Sequence, residues 1–175
     1  SAADAPFNYR ALNVGGFSFN SIVYDSNDVI SVAYSSPSGD LNLTSCENVT
    51  TTYTCATTPN SLPWTITSIN NLSGSRVYAA LDSNDKLHLN YLHNSAIYYS
   101  TNESGSWVDV VIDVPQATGS INYNDIAIDT NDNVHMSYLH VVTTGSNTNY
   151  TVHYMGIQAS SSGSSSGTGS GSGSG

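Results

Sequence analysis

The sequence predicts an all-β chain built from three four-stranded antiparallel units, and three observations predict it. One hairpin motif recurs three times, residues after each turn alternate with a period of two, and no stretch sustains a helical period. Aligned without gaps, the copies read IVYDSNDVISVAY (Ile22–Tyr34), AALDSNDKLHLNY (Ala79–Tyr91) and IAIDTNDNVHMSY (Ile126–Tyr138). Asp25, Asp82 and Asp129 lead the turns, and Tyr34, Tyr91 and Tyr138 stand nine residues later. The spacings of 57 and 47 residues lie in the range of propeller blades and solenoid units.

Each copy reads as a hairpin because Asn and Asp tolerate the left-handed backbone of a tight turn. Leu87, Leu89 and Tyr91 alternate with His88 and Asn90, and Val134, Met136 and Tyr138 alternate with His135 and Ser137. Third strands are predicted at Leu41–Thr44, Ala96–Thr101 and Tyr150–Met155. Fourth strands follow at Trp64–Ile69 and Trp107–Ile112, each with an aliphatic residue five positions after its Trp. Four short antiparallel strands per unit make a propeller-like blade.

The third copy runs into Gly156 and a Ser/Gly-rich tail where its fourth strand is due. The missing strand is predicted at the other end of the chain, where residues 6–13 (PFNYRALN) align with residues 63–70 (PWTITSIN). Phe7, Tyr9 and Leu12 are then the assembly-strand residues. Three blades are too few to circle a channel, since propellers have about four to eight. The bare edge of the third blade therefore calls for the N-terminal strand of another copy. Two chains closing a six-bladed ring, an open filament, or a piece of a longer repeat protein all satisfy this. Residues 1–158 form the predicted domain, and residues 159–175 a tail or linker with nothing to build a core.

Composition excludes further classes. Only three Lys and Arg stand against 13 Asp and Glu, a net charge of −10, so the chain lacks the cations to neutralise a row of phosphates. No apolar run approaches the ~18 residues that span a bilayer. The partners expected are further copies of the chain, with glycans as a second class, and neither nucleic acid nor membrane insertion.

The second and third copies resemble the D-S-N-[DG]-x-h-H-h-[SN]-Y repeat of propeller-like regions in secreted and cell-surface archaeal and bacterial proteins. The segment from Tyr98 to Trp107 resembles that family's third-strand and outer-strand region. The first copy departs from the pattern with Ser31 in place of His. The resemblance spans residues 7–155 and implies a propeller-type sheet in an extracellular setting, with no single shared activity.

Cys46 and Cys55 are the only cysteines, and a disulfide between them would close the loop between the third and fourth strands of the first unit. Sequons begin at Asn42, Asn48, Asn71, Asn102 and Asn149. Chance alone supplies about five in so Ser-, Thr- and Asn-rich a chain, so placement carries the argument for glycosylation. Asn48, Asn102 and Asn149 are predicted in loops.

Asp129, Asn131 and Asn133 place oxygen side chains at alternate positions, but Val134 stands where a calcium loop needs Gly, and turn formation accounts better for the pattern. His88 and His135 share one repeat position, His93 and His140 another, which reads as architecture. Asp109, Asp113 and Asp125 are the carboxylates a fold could bring together for glycoside hydrolysis. No nucleophile elbow, phosphate loop or HExxH is present.

The expectation is a chain that is not an enzyme, with no catalytic residue, metal site or cofactor. It is a non-catalytic structural subunit of an extracellular, glycosylated filament or surface assembly, built by strand donation. The alternative is a glycan- or receptor-binding propeller module.

Overall fold

A computed structural model describes residues 20–36, 38–47, 65–115 and 118–159. These residues form eleven strands and no helix, arranged as three antiparallel sheets that do not close into a ring. The first sheet runs β1 (Asn20–Tyr24), β2 (Val29–Ser35), β3 (Asp40–Glu47) and β4 (Thr65–Ser73) in spatial order. The second runs β5 (Ser75–Leu81), β6 (Leu87–His93), β7 (Ala96–Thr101) and β8 (Val108–Asp113). The third has three strands, β9 (Gly119–Ile128), β10 (Val134–Thr144) and β11 (Asn147–Ile157).

Every repeat turns on the same local device. Asp25 Oδ1 accepts the backbone N–H groups of Asn27 (2.9 Å) and Val29 (2.8 Å). Asp82 Oδ1 accepts those of Asn84 (2.9 Å) and Lys86 (2.7 Å), and Asp129 Oδ1 those of Asn131 (2.8 Å) and Asn133 (2.9 Å). The second acid of each turn takes the left-handed conformation, with φ of 63° at Asp28, 59° at Asp85 and 62° at Asp132. Asp tolerates that region far better than a β-branched residue, which is why the motif keeps an acid there. Between β6 and β7 both turn residues, Asn94 and Ser95, have positive φ, the backbone that matches strand twist in a two-residue hairpin.

The sheets pack face on face, and apolar alternation fills both interfaces. Leu41 of β3 and Ile69 of β4 pack against Val77, Leu87, Leu89 and Tyr91 of the second sheet. Ile97 packs with Ile121 and Tyr138, while Tyr99 packs with Ile126, Val134 and Met136, all on the third sheet. The repeat tyrosines Tyr34, Tyr91 and Tyr138 are buried.

Several strand bounds differ from expectation: β3 runs Asp40–Glu47 where Leu41–Thr44 was predicted, and β8 runs Val108–Asp113 where Trp107–Ile112 was predicted. β4 runs past the predicted Ile69 to Ser73, Trp64 lying outside the described residues, and β11 has 11 residues where six were predicted. The Thr- and Asn-rich flank of β11 reads as turn in sequence, yet it pairs with β10 as far as Asn147, opposite Thr144. Residues 7–12, predicted as the N-terminal strand, and residues 160–175 of the tail lie outside the described residues.

Candidate functional site

Two neighbouring sheets carry the same three-residue polar chain in different surroundings. In the second sheet, His88 Nε2 faces Asp82 at 3.6 Å, and His88 Nδ1 lies 2.6 Å from the Tyr99 hydroxyl. In the third, His135 Nε2 lies 3.2 Å from Asp129, and His135 Nδ1 lies 2.7 Å from the Tyr154 hydroxyl. Pairing register makes these equivalent: Tyr99 lies opposite Asn90, and Tyr154 opposite Ser137, two positions past each His. Each His ring stacks on its Tyr, at 5.9 and 6.0 Å between centroids.

Burial separates the twins. Tyr99 is 7% exposed beneath the third sheet, whereas Tyr154 is 67% exposed. Burial pushes the His88 imidazole below its ordinary value, against the pull of Asp82, and pushes Tyr99 up to about 12. Hydrogen bonds from the Asn133 side chain and backbone, and then from Asn131 and His135, hold Asp129 well below the usual carboxylate range. Two shallow depressions flank His135 and Tyr154, one lined by Asp125 and Met136, the other by Asn133 and Gln158. A Tyr hydroxyl bonded to an Asp-backed imidazole can pass a proton, so the exposed copy has acid–base capacity where the buried one serves packing.

A second set of polar contacts ties sheet to sheet at the turns. The Ser26 amide donates to Asp85 Oδ1 at 2.9 Å, and its hydroxyl donates to Asp85 Oδ2. The Ser83 amide and hydroxyl donate to Asp132 at 2.8 and 2.6 Å. These bonds, side chain before backbone, hold Asp85 and Asp132 below the ordinary carboxylate value. Deeper in, Asn124 Nδ2 lies 2.8 Å from the Arg76 carbonyl, 3.0 Å from the Asn90 carbonyl and 2.8 Å from Asn90 Oδ1. Arg76 and Tyr123, at equivalent positions with φ of 53° and 50°, stack with the guanidinium 4.9 Å from the ring centre.

The signs of these shifts give a pH dependence. Groups whose folded values are depressed contribute stability that is full above their unfolded values and lost as pH falls. For His88 that loss starts below about 6.5, and for Asp85, Asp129 and Asp132 below about 3.8. The melting temperature is expected to fall in two stages on acidification, and His88→Gln to remove the upper stage. An unchanged melting temperature between pH 7 and 5 in the native chain would contradict the buried Asp82–His88–Tyr99 assignment.

The predicted site residues fall as follows. Cys46 is buried on β3, and no cysteine among the described residues is free. Cys55 and Asn48 lie outside the described residues, as do Phe7, Tyr9 and Leu12. Asn42 lies in β3 and donates to the Asp40 carbonyl at 3.3 Å, and Asn71 lies in β4. Asn102 sits in the turn after β7 with its Oδ1 accepting the Leu87 amide at 2.8 Å. Asn149, expected in a loop, is exposed on β11. Asp109 accepts the Tyr91 hydroxyl at 3.3 Å, Asp113 accepts the Tyr138 hydroxyl at 2.8 Å, and Asp125 accepts the Ile126 amide at 2.9 Å. Each of those three carboxylates thus has its own structural bond. Among the described residues no helix is long and apolar enough to cross a membrane.

No family model and no curated protein matches the sequence. Among solved structures, 17 chains match. Two of these are structures of a PL25 polysaccharide lyase, an ulvan lyase, one of them bound to -[GlcA(1-4)Rha3S]-. Each is 13% identical with a TM-score of 0.52, covering 79% of this chain and 38% of the lyase. The chain therefore spans well under half the length of these proteins, and at this identity the likeness is one of fold. It corrects one expectation. The chain was read as not an enzyme because it lacks familiar catalytic motifs, but the fold it shares is carried by polysaccharide lyases. Motif absence does not exclude catalysis, because polar groups such as His135 and Tyr154 meet across strands and not within a short stretch of sequence.

Proposed function

We propose that the chain is a self-assembling subunit of an extracellular assembly, in which each sheet is a propeller-like blade and the third is completed by the N-terminal strand of another copy. The observation that supports this most is the outer edge of β11. In the first two blades the third strand is covered, β3 by β4 and β7 by β8, while among the described residues β11 pairs only with β10. An uncovered edge of 11 residues is a template for another strand.

The two completed blades supply a template for the proposed register. Ser45 lies opposite Thr65, and Thr101 opposite Val108, in each case the residue after the Trp. The equivalent position on β11 is Gly156, since it pairs with His135 as Thr101 pairs with His88. Aligning Phe7 with Trp64 and Trp107 then sets Asn8 opposite Gly156, Tyr9 opposite Met155 and Arg10 opposite Tyr154. The Cys46–Cys55 disulfide and glycans at exposed sequons such as Asn149 belong to the same extracellular reading.

Deleting residues 1–13 is expected to leave folded but unassociated subunits by sedimentation, or insoluble ones, where the native chain is expected to form larger particles. A peptide of residues 4–14 in excess is expected to inhibit native assembly. Unaltered particles from the deleted chain would refute strand donation.

A second reading is favoured by the exposed Asp129–His135–Tyr154 chain: acid–base chemistry on, or binding of, a polysaccharide at the open face of the third blade. Its test is release of unsaturated ends from a uronate-containing sulfated polysaccharide, abolished by His135→Ala.

A further inference from the structure

We infer that copies of this chain stack blade on blade, the open face of the third blade seating on the open face of the first blade of the next copy, with Thr130 clasping the neighbour's Asp28. This rests on the self-assembly reading but concerns a different surface from the β11 edge.

The two interfaces inside the chain supply the template, because they use the same repeat positions. Leu41 and Ile97 are equivalent, as are Leu43 and Tyr99, and all four pack toward the following sheet. Their counterparts on β11 are Val152 and Tyr154, placed by pairing with Leu139 and Ser137, and these are 74% and 67% exposed. On the receiving side, Ala79 and Leu81 of the second sheet and Ile126 and Ile128 of the third are packed into the interfaces. Their counterparts in the first sheet are Ile22 and Tyr24, which are 67% and 58% exposed. One end of the chain thus presents an uncovered donor face and the other an uncovered receiving face, each of the kind that is buried twice within the chain.

The polar clasp follows the same rule. Ser26 donates to Asp85 of the next sheet, and Ser83 donates to Asp132 of the next. Thr130 occupies the Ser26 and Ser83 position in the third repeat and keeps the hydroxyl, and it is exposed. Asp28 occupies the Asp85 and Asp132 position in the first repeat, is exposed, and has the same left-handed backbone. Among the described residues no sheet follows Thr130 and none precedes Asp28, which meanwhile accepts the Tyr24 hydroxyl. Such an interface is heterologous, so repetition gives a closed ring or a helical filament according to the rotation per copy.

Two single variants in the full chain test this: Ile22→Asp, which spoils the receiving face, and Val152→Asp, which spoils the donor face. Both sites are exposed in the isolated subunit, so folding is spared. Neither variant alone is expected to assemble by sedimentation, because each junction needs strand donation and stacking together and every junction then contains a spoiled face. Mixed together they are expected to give two-copy particles and nothing longer, through the one remaining good pair of faces. Thr130→Val is expected to weaken assembly about tenfold, the effect of losing one hydrogen bond to a charged group, and Thr130→Ser to leave it unchanged. Native-like assembly by either face variant, or a mixture that stays as single subunits, would overturn the stacking. If the face variants assemble while deletion of residues 1–13 abolishes assembly, stacking fails and strand donation stands. A native chain that stays single at all concentrations overturns both.

Discussion

Replacing Tyr91 with Ala is expected to destabilise the fold by about 3–5 kcal/mol, a large share of the roughly 5–15 kcal/mol that holds a domain together. Tyr91 is fully buried at the interface between the first and second sheets, among Leu41, Ile69 and Leu89. Its ring stacks on Tyr98 at 5.5 Å, and a Cβ added at Gly74 would lie 2.8 Å from Tyr91 Cδ2. The backbone has therefore closed to glycine distance around the ring, and Ala at position 91 would leave a cavity that this tight packing cannot collapse. Tyr91→Phe keeps the ring and loses only the hydroxyl bond to Asp109, so about 1 kcal/mol is expected. Urea denaturation separates the two variants. A Tyr91→Ala chain within 1 kcal/mol of the native one would contradict the packing described.

Asn124→Ala is the second large effect, expected to cost about 1–3 kcal/mol, because buried acceptors would lose their donor. The Asn124 amide reaches the carbonyls of Arg76 and Asn90 and the Asn90 side chain, joining the second and third sheets beside the apolar clusters they share. Amide exchange is expected to rise along β9 more than along β1, since the loss loosens one interface and spares the other. Equal protection of β9 in both chains would show that the amide bridge does not hold the sheets together.

What the sequence disclosed was chemistry that acts within a few residues. The Asp-led turns were legible because an Asp side chain and its own following amides are close in the chain, whatever the rest of the molecule does. The repeat tyrosines were legible because the alternation puts them on one face. The Asp–His–Tyr chains were not, since His88 and Tyr99 meet through an 11-residue separation and His135 and Tyr154 through 19, set by hairpins of different length. The histidines were read as architectural, which describes His88 well, while the same repeat position at His135 opens to solvent, no further sheet covering it among the described residues. The Ser26 and Ser83 clasps read as ordinary turn residues until the neighbouring turn is brought alongside. Arg76 and Tyr123 carry positive φ without the Gly or Asn that usually marks it, so these irregular strand pairings had no local sign.

The absence of catalytic motifs misled for a related reason. The short motifs that sequence reading can test are contiguous, whereas the candidate relay here is assembled by register between β10 and β11. The same strand connects the two proposed readings, because Tyr154 lies on β11, which among the described residues pairs only with β10.

The most direct measurement is a high-resolution image of the purified, assembled protein, read at the outer edge of β11. The expected result is a strand of residues 7–12 from a neighbouring copy, with Asn8 opposite Gly156 and Arg10 opposite Tyr154. Residues 7–12 paired with β11 of their own chain, or an edge of β11 left bare in the assembly, would contradict the account.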